Sequence, residues 1–334
     1  MCILENTLWL MALWKFIEKN KNMNKKISIV IPVYNEEESV NELHREIIKT
    51  MSPLGCSYEI IFIDDGSTDD TFEKFKTLSP IKIIRFRKNF GQTSALNAGI
   101  KESQGEYIIT MDGDGQNDPT DIPKLLEKLE KENLDAVSGW RKNRRDPLLK
   151  KLSSLCAATL RKFLINDGIH DSGCTLKVYK KECFENIELA GEMHRFIPAL
   201  LKIKGFKIGE IEVNHRPRTT GKTKYNWTRG IKGVLDLLSV WFWKKYANRP
   251  LHLFGGFGLF LIIISILAGG LAIYEKIFFG QDLSNTALTD LSMFGFLMGI
   301  QFFVSGLLAD ILSKNYYATT KDRTYDIKEI IKNE

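Results

Sequence analysis

The chain has 334 residues, a formal charge of +6, 44% apolar residues and 26% charged residues. That balance excludes a disordered or collagen-like chain, leaves room for one large packed domain plus additions, and is too mild to imply a nucleic-acid partner. The five cysteines, Cys2, Cys56, Cys156, Cys174 and Cys183, are odd in number and form no CxxC pair; they predict reduced thiols in a cytosolic domain, not a disulfide frame or a zinc site.

Residues 1–24 read as an extension. The apolar stretch Leu8–Trp14 is too short to span a bilayer, and the lysines follow it, on the wrong side for a secretory signal. An interfacial helix is one reading; the favoured one is that Met23 is the true start. From Lys25 to about Thr220, strands and helices alternate. Ile27–Val33 is a β-branched run ending at a turn, and Val40, Leu43, Ile47 and Ile48 then recur at helical spacing. Tyr58–Ile63, Ile81–Phe86 and Tyr107–Met111 are predicted strands, and Ser94–Lys101 a helix. Repeated strand–helix units predict an α/β fold with a mostly parallel, Rossmann-like sheet covered on both faces, over residues 25–224.

Ligands of such sheets bind beyond the carboxyl ends of the strands, and the polar clusters fall there. Pro32-Val33-Tyr34-Asn35-Glu36 closes the first strand: a tyrosine can face a nucleobase and a glutamate can accept from its N–H groups. The bland reading is a helix start served by Asn35 or Glu36. Asp64-Asp65-Gly66-Ser67 closes the second; Asp65 can bond a ribose or base, or cap a helix. Asp112-Gly113-Asp114 closes the fourth. Two carboxylates flanking a glycine can meet one hard cation and a diphosphate, since Mg²⁺ is held by one or two carboxylates plus substrate phosphates. A lone Asp-x-Asp is equally a turn; its place at a strand end beside Asp64-Asp65 favours the metal reading.

A basic stretch follows, with Arg141, Lys142, Arg144, Arg145, Lys150, Lys151, Arg161 and Lys162. Such a run is usually a solvated helix face; near a membrane it would meet anionic headgroups. In residues 225–250, Trp227, Trp241 and Trp243 accompany Ile231, Val234, Leu235 and Leu238 at helical spacing with lysines between, predicting amphipathic helices in the interface plane. Leu251–Ile273 and Leu291–Leu312 are apolar runs. Helices of about 20 residues cross a ~30 Å hydrocarbon core, so both are predicted to span. Lys244, Lys245 and Arg249 precede the first, and Lys314, Lys321 and Arg323 follow the second, while the loop 274–290 carries one lysine. The positive-inside rule then puts the catalytic domain and the tail 313–334 in the cytoplasm and the loop outside.

Together, Ile31-Pro32-Val33-Tyr34-Asn35-Glu36-Glu37, Asp64-Asp65-Gly66-Ser67-Thr68-Asp69 and Asp112-Gly113-Asp114-Gly115-Gln116 resemble, in order and spacing, glycosyltransferase family 2. Gly139-Trp140-Arg141, the segment His215–Tyr225 and two terminal apolar helices narrow this to the polyprenyl-phosphate glycosyltransferases, similar to dolichol-phosphate mannosyltransferases and bacterial undecaprenyl-phosphate glucosyltransferases. The resemblance covers roughly Lys25 to Leu312. It implies a GT-A catalytic domain, an inverting reaction and Mg²⁺ or Mn²⁺. It places nucleotide-sugar contacts on Pro32, Tyr34, Glu36, Ile63, Asp65, Gly113, Gln116, Arg218 and Lys224, and the catalytic metal on Asp112, Asp114 and Gln116. It places the lipid phosphate on Arg141, Lys151 and Ser154. Two departures are mild: Gly221-Lys222-Thr223-Lys224-Tyr225 has threonine where serine is usual, and Asp118-Pro119 stands where two prolines are common. Lys151 stands where arginine is more frequent, and loses the bidentate fork.

The expectation is therefore an enzyme of the cell membrane that moves a monosaccharide, from UDP-hexose in preference to GDP-mannose, onto undecaprenyl or dolichyl phosphate. The resemblance also implies a homotetramer. The rivals are a processive polysaccharide synthase, whose Gln-x-x-Arg-Trp motif and longer channel the chain lacks, and a non-catalytic scaffold, which would have lost site residues retained here.

Overall fold

The computed structural model describes residues 26–142, 168–217 and 228–319, apart from 186, 188, 190, 192, 248, 281 and 284–286; of 228–234, 236 and 318 only the backbone is described. The chain divides after Val240 into two compact units.

In the first unit the order is β1 (Ile27–Val33), α1 (Val40–Met51), β2 (Tyr58–Asp64), α2 (Thr71–Phe75), β3 (Lys82–Arg85), α3 (Gln92–Lys101) and β4 (Tyr107–Thr110). Then come α4 (Ile122–Lys131), β5 (Ala136–Trp140), β6 (Lys177–Lys180), α5 (Ile197–Ile203), β7 (Ile208–Glu212) and α6 (Thr228–Tyr246), which runs on past Val240. The seven strands lie in the order β3-β2-β1-β4-β6-β5-β7. β6 is antiparallel to both neighbours, β4 and β5, and the other pairs are parallel. Six strands therefore end at one edge of the sheet, and β6 begins there.

Strand periodicity builds two cores. Ile27, Ile29, Ile31 and Val33 of β1 face α1 and α4, packing with Leu43, Ile47, Phe62, Leu125 and Leu129. Val30 points to the opposite face, with Ile61, Ile63 and Ile108 against Ala95, Leu96 and Ile100 of α3 and Ile197 and Leu201 of α5. Every β1 residue is buried, as expected for a central parallel strand. Truncating a fully buried isoleucine such as Ile29 to alanine costs about 2–5 kcal/mol. A small third cluster joins Phe196 and Ala199 to Leu237 and Val240 of α6.

The predicted strands are present to within two residues. The second gains Asp64, the third shrinks to Lys82–Arg85, and the helix expected from Ser94 starts at Gln92. Residues 228–246 form one helix, α6, where amphipathic helices were expected in 225–250.

The second unit holds two long helices, α7 (Pro250–Phe279) and α8 (Ala287–Thr319). Both exceed the apolar runs and are long and apolar enough to cross a membrane. They touch where a Cβ on Gly258 would lie 2.6 Å from the Gly299 carbonyl oxygen; only a hydrogen side chain permits that backbone approach. Ser292 Oγ donates to the Ser265 carbonyl at 2.7 Å. Outward residues such as Leu267, Phe278, Phe294 and Leu312 are exposed, the reverse of a soluble core helix.

Candidate active site

Strand order makes the cleft. From β1 the chain steps to β2 on one side and later to β4 on the other, so the β1/β4 boundary is the switch point at which open α/β sheets bind ligands. The turns after β1 and β2 are tied together there. Asn35 is left-handed (φ 54°), a conformation asparagine tolerates better than most residues. Its N–H donates to Ser67 Oγ at 3.0 Å, and its Oδ1 accepts from the Thr68 N–H at 2.8 Å. The Glu36 N–H donates to Thr71 Oγ1 at 3.0 Å. Asp65 is held by both oxygens: Oδ1 accepts from the Phe90 N–H at 2.7 Å and Oδ2 from the Gly91 N–H at 2.9 Å. Burial raises its carboxyl pKa, with these two donors pulling the other way. Each oxygen retains a lone pair for a ligand. Below it, Asp64 Oδ1 accepts from the Ser67 N–H, and Arg85 Nε makes an ionic contact with Oδ2 at 3.3 Å without hydrogen-bond alignment.

The acidic pair follows β4. Gly113 packs on β1, since a Cβ there would stand 2.7 Å from Val33 Cγ2, and its carbonyl accepts from Ser39 Oγ at 2.7 Å. The turn after β1 and the acidic turn are thus one braced body. Asn117 Oδ1 accepts from the Asp112 N–H at 2.8 Å and from Thr175 Oγ1 at 2.9 Å. Asp114 Oδ1 accepts from the Gln116 N–H at 3.1 Å, and Gln92 Nε2 donates to Asp112 Oδ1 at 2.7 Å. Burial, reinforced by the like charge of Asp114, pushes the Asp112 carboxyl up to about 6, against the Thr175 hydroxyl and the Arg141 and Lys177 cations.

Two cations, Lys177 buried and Arg141 partly buried, act on Asp112. Lys177 Nζ donates to the Ser172 carbonyl at 3.3 Å and to that of Cys174; burial lowers its pKa, opposed by Cys174, Asp171 and Asp112. Arg141 grips Asp171 with a fork, Nε to Oδ2 at 2.7 Å and Nη2 to Oδ1 at 2.9 Å. Burial opposes the Arg141 charge, but Asp171 outweighs it and the pKa rises. Glu210 in turn accepts from the His170 and Asp171 N–H groups, at 3.0 Å each.

Residues 28–188 match the family model of Glycosyl transferase family 2. A dodecaprenyl-phosphate galacturonate synthase of Rhizobium johnstonii is 37% identical over 313 residues, covering 91% of this chain and 93% of that protein. The chain is a family 2 glycosyltransferase. A second relative of this glycosyltransferase, an undecaprenyl-phosphate 4-deoxy-4-formamido-L-arabinose transferase of Klebsiella pneumoniae, is 32% identical over 314 residues, covering 92% of this chain and 94% of its own. Both alignments run nearly end to end and place the enzyme with the polyprenyl-phosphate glycosyltransferases. Among solved structures, glucosyl-3-phosphoglycerate synthase of Mycobacterium tuberculosis, in complex with Mn²⁺, uridine diphosphate and product, has a TM-score of 0.55 at 18% identity, over 67% of this chain and 81% of that one. Mannosyl-3-phosphoglycerate synthase of Rubrobacter xylanophilus gives 0.56 at 14%, over 68% and 77%. At such identities they establish the GT-A fold.

In this glycosyltransferase the structure gathers Pro32, Tyr34, Glu36, Asp65, Asp112, Gly113, Asp114, Gln116 and Arg141 along one sheet edge. Ile63 differs: it is fully buried, with its side chain in the core against α3. Lys151, Ser154, Arg218 and Lys224 lie outside the described residues. Sequence reasoning missed Gln92, Asn117, Asp171, Thr175, Lys177 and Arg216. Gln92 alone carried a signal, as the first helical residue after a strand-end Asn-Phe-Gly turn.

Proposed function

We propose that this family 2 enzyme transfers a monosaccharide from UDP-hexose to polyprenyl phosphate at the cytoplasmic face of the membrane, with inversion. The observation that carries the reading is the pair Asp112 and Asp114 at the switch point, with Asp112 destabilised as an anion by burial and by its neighbour. Such a pair fits a divalent cation, Mg²⁺ or Mn²⁺, whose charge relieves that repulsion. Among the described residues no group of three His, Cys, Asp or Glu side chains could hold a metal, so two carboxylates, Gln116 and the donor diphosphate would share it. When bound, such a cation offsets the charge of a departing diphosphate.

The protein's own part is placement. Tyr34, Glu36 and Asp65 receive the nucleoside, braced by the Asn35–Thr68 and Ser39–Gly113 ties. Arg218 and Lys224 serve the diphosphate; Arg141, Lys151 and Ser154 serve the acceptor phosphate. A phosphate oxygen of the lipid attacks the anomeric carbon as the bond from that carbon to the diphosphate breaks, and the electron pair leaves with the nucleoside diphosphate. A phosphate monoester, with a second pKa of about 6, is largely dianionic near neutrality and needs no general base. Orientation and electrostatics supply the rate.

The acceptor class is supported by the polyprenyl-phosphate names of both relatives. Their sugars differ from each other, so similarity selects the lipid more strongly than the sugar. The test is a panel of nucleotide sugars with undecaprenyl phosphate, products identified by mass spectrometry. One glycosyl phosphate lipid from one UDP-sugar is expected. Donor hydrolysis indifferent to lipid, polymer formation, or no turnover would each defeat the reading.

A further inference from the structure

The first turn of α3 is anchored from three directions. Asp65 holds the N–H groups of Phe90 and Gly91 just before it. Gln92, its first residue, donates to Asp112 at 2.7 Å. Thr93, the second, has its hydroxyl 2.7 Å from His194 Nδ1. Thr93 and His194 are 2% and 7% exposed, so the contact lies out of water, 101 positions apart in sequence. His194 sits in the short turn Met193–Arg195 leading into α5, whose Ala199 packs with Leu237 and Val240 of α6. The proposed chemistry uses neither His194 nor Gln92. A buried hydrogen bond between two side chains that could each be apolar is a costly way to fill space. Its placement, one residue from the group that grips the catalytic carboxylate, gives it a use.

We infer that His194 is a positioning residue for Asp112: through Thr93 it fixes the first turn of α3, so that Gln92 holds Asp112 Oδ1 and sets the orientation in which the carboxylate meets the cation. Second groups that orient a metal ligand behave in this way generally, and losing them weakens metal affinity or activity about 10–100-fold. The inference rests on the metal reading proposed above. Asp65 holds the two N–H groups just before α3, so the proposed nucleoside and metal sites share α3 as a common support.

The test is Mn²⁺ binding to the full-length protein in detergent with saturating UDP, followed by electron paramagnetic resonance, alongside thermal unfolding and rates against donor and lipid concentration. Gln92→Ala should weaken Mn²⁺ binding by about 10–100-fold, and His194→Ala by about tenfold. kcat should fall in step and the KM for lipid should hold. His194→Asn, whose side-chain amide can either donate to or accept from the Thr93 hydroxyl in place of Nδ1, should restore most of the affinity. Thr93→Val should match His194→Ala, and the double variant should be no worse than either. Unchanged Mn²⁺ affinity in Gln92→Ala or His194→Ala, or a loss in His194→Ala explained wholly by a lower unfolding temperature and not rescued by asparagine, would overturn the inference alone. A wild-type protein that binds no Mn²⁺ with UDP would overturn it together with the metal reading.

Discussion

Arg216 Nη1 stands 2.8 Å from both carboxylate oxygens of Glu46, 170 positions earlier in the chain. Its Nη2 is 2.9 Å from Asp118 Oδ1, and its N–H donates to the Gln116 carbonyl at 3.0 Å. With the bridge between Asn117 and His215, this pins the chain to the acidic turn two residues before Arg218. Diphosphate contacts from Arg218 and Lys224 would therefore start from a fixed root. Charge-assisted contacts are worth about 1.5–3 kcal/mol each, so Arg218→Ala should lower turnover roughly 10–150-fold in steady-state assays. The pair Arg218→Ala, Lys224→Ala retaining full activity would show that these residues do not touch substrate.

Metal dependence should follow Asp112. EDTA should stop turnover and added Mg²⁺ or Mn²⁺ restore it. In its proposed role Asp112 must be deprotonated to meet the cation, and its carboxyl is pushed up to about 6, so Mn²⁺ affinity with UDP bound should hold above that pH. Below it, affinity should fall about tenfold per unit. Calorimetric titrations at pH 5, 6 and 7.5 measure this; a flat profile contradicts it.

The ion pair of Arg141 with Asp171 and its proposed acceptor role can be separated. Removing it strands Asp171, and breaking a buried pair from one side costs about 3–5 kcal/mol. Arg141→Ala should thus lower both stability and acceptor use. Arg141→Lys keeps the charge without the fork. It should raise the apparent KM for polyprenyl phosphate while nucleotide binding by calorimetry stays near wild type. Lost nucleotide binding with unchanged lipid KM would assign Arg141 to the donor.

The same pair sets a pH dependence of stability. Burial raises the Asp171 pKa, but the Arg141 hydrogen bond and charge win, and the folded value lies below the ordinary one. Its contribution is complete above the ordinary carboxylate range and is lost as pH falls through the lowered value. Asp171→Asn should lower the unfolding temperature at pH 7 and flatten its decline as the pH falls below the ordinary carboxylate range. An unchanged acid limb would show that the pair does not control it.

Topology is testable by labelling. Cysteines introduced at Gln281 and Lys328 in intact cells, over a background lacking the native thiols, should react from outside and from inside respectively. The reverse pattern would invert the proposed arrangement.

The central strands were legible because Ile29–Val33 and Ile60–Ile63 are apolar runs ending in polar turns. The acidic pair was legible because its spacing is local. β6 was not: Lys177-Val178-Tyr179-Lys180 is four residues long and starts on a lysine, which no periodicity marks as buried. Lys177 lies inside only because Ser172, Cys174, Asp171 and Asp112 surround it. Gln92, Asn117 and Asp171 escaped for the same reason; each acts through a partner distant in sequence or through a backbone N–H. Ile63 was assigned to the site by resemblance, whereas strand alternation alone puts its side chain beneath the cleft with Val30.

Because β6 runs against both of its neighbours, the chain leaves the sheet edge at Arg141 and returns to it at Asp171, and these two residues are joined to each other. The stretch of chain between them thus begins and ends at one ion pair. With the separation of its ends already set, a change in the number of residues between 142 and 168 alters the closure entropy only slowly. Such a change leaves the turns after β1, β2 and β4 untouched, so the acceptor contacts proposed for Lys151 and Ser154 can be altered independently of those proposed for the donor.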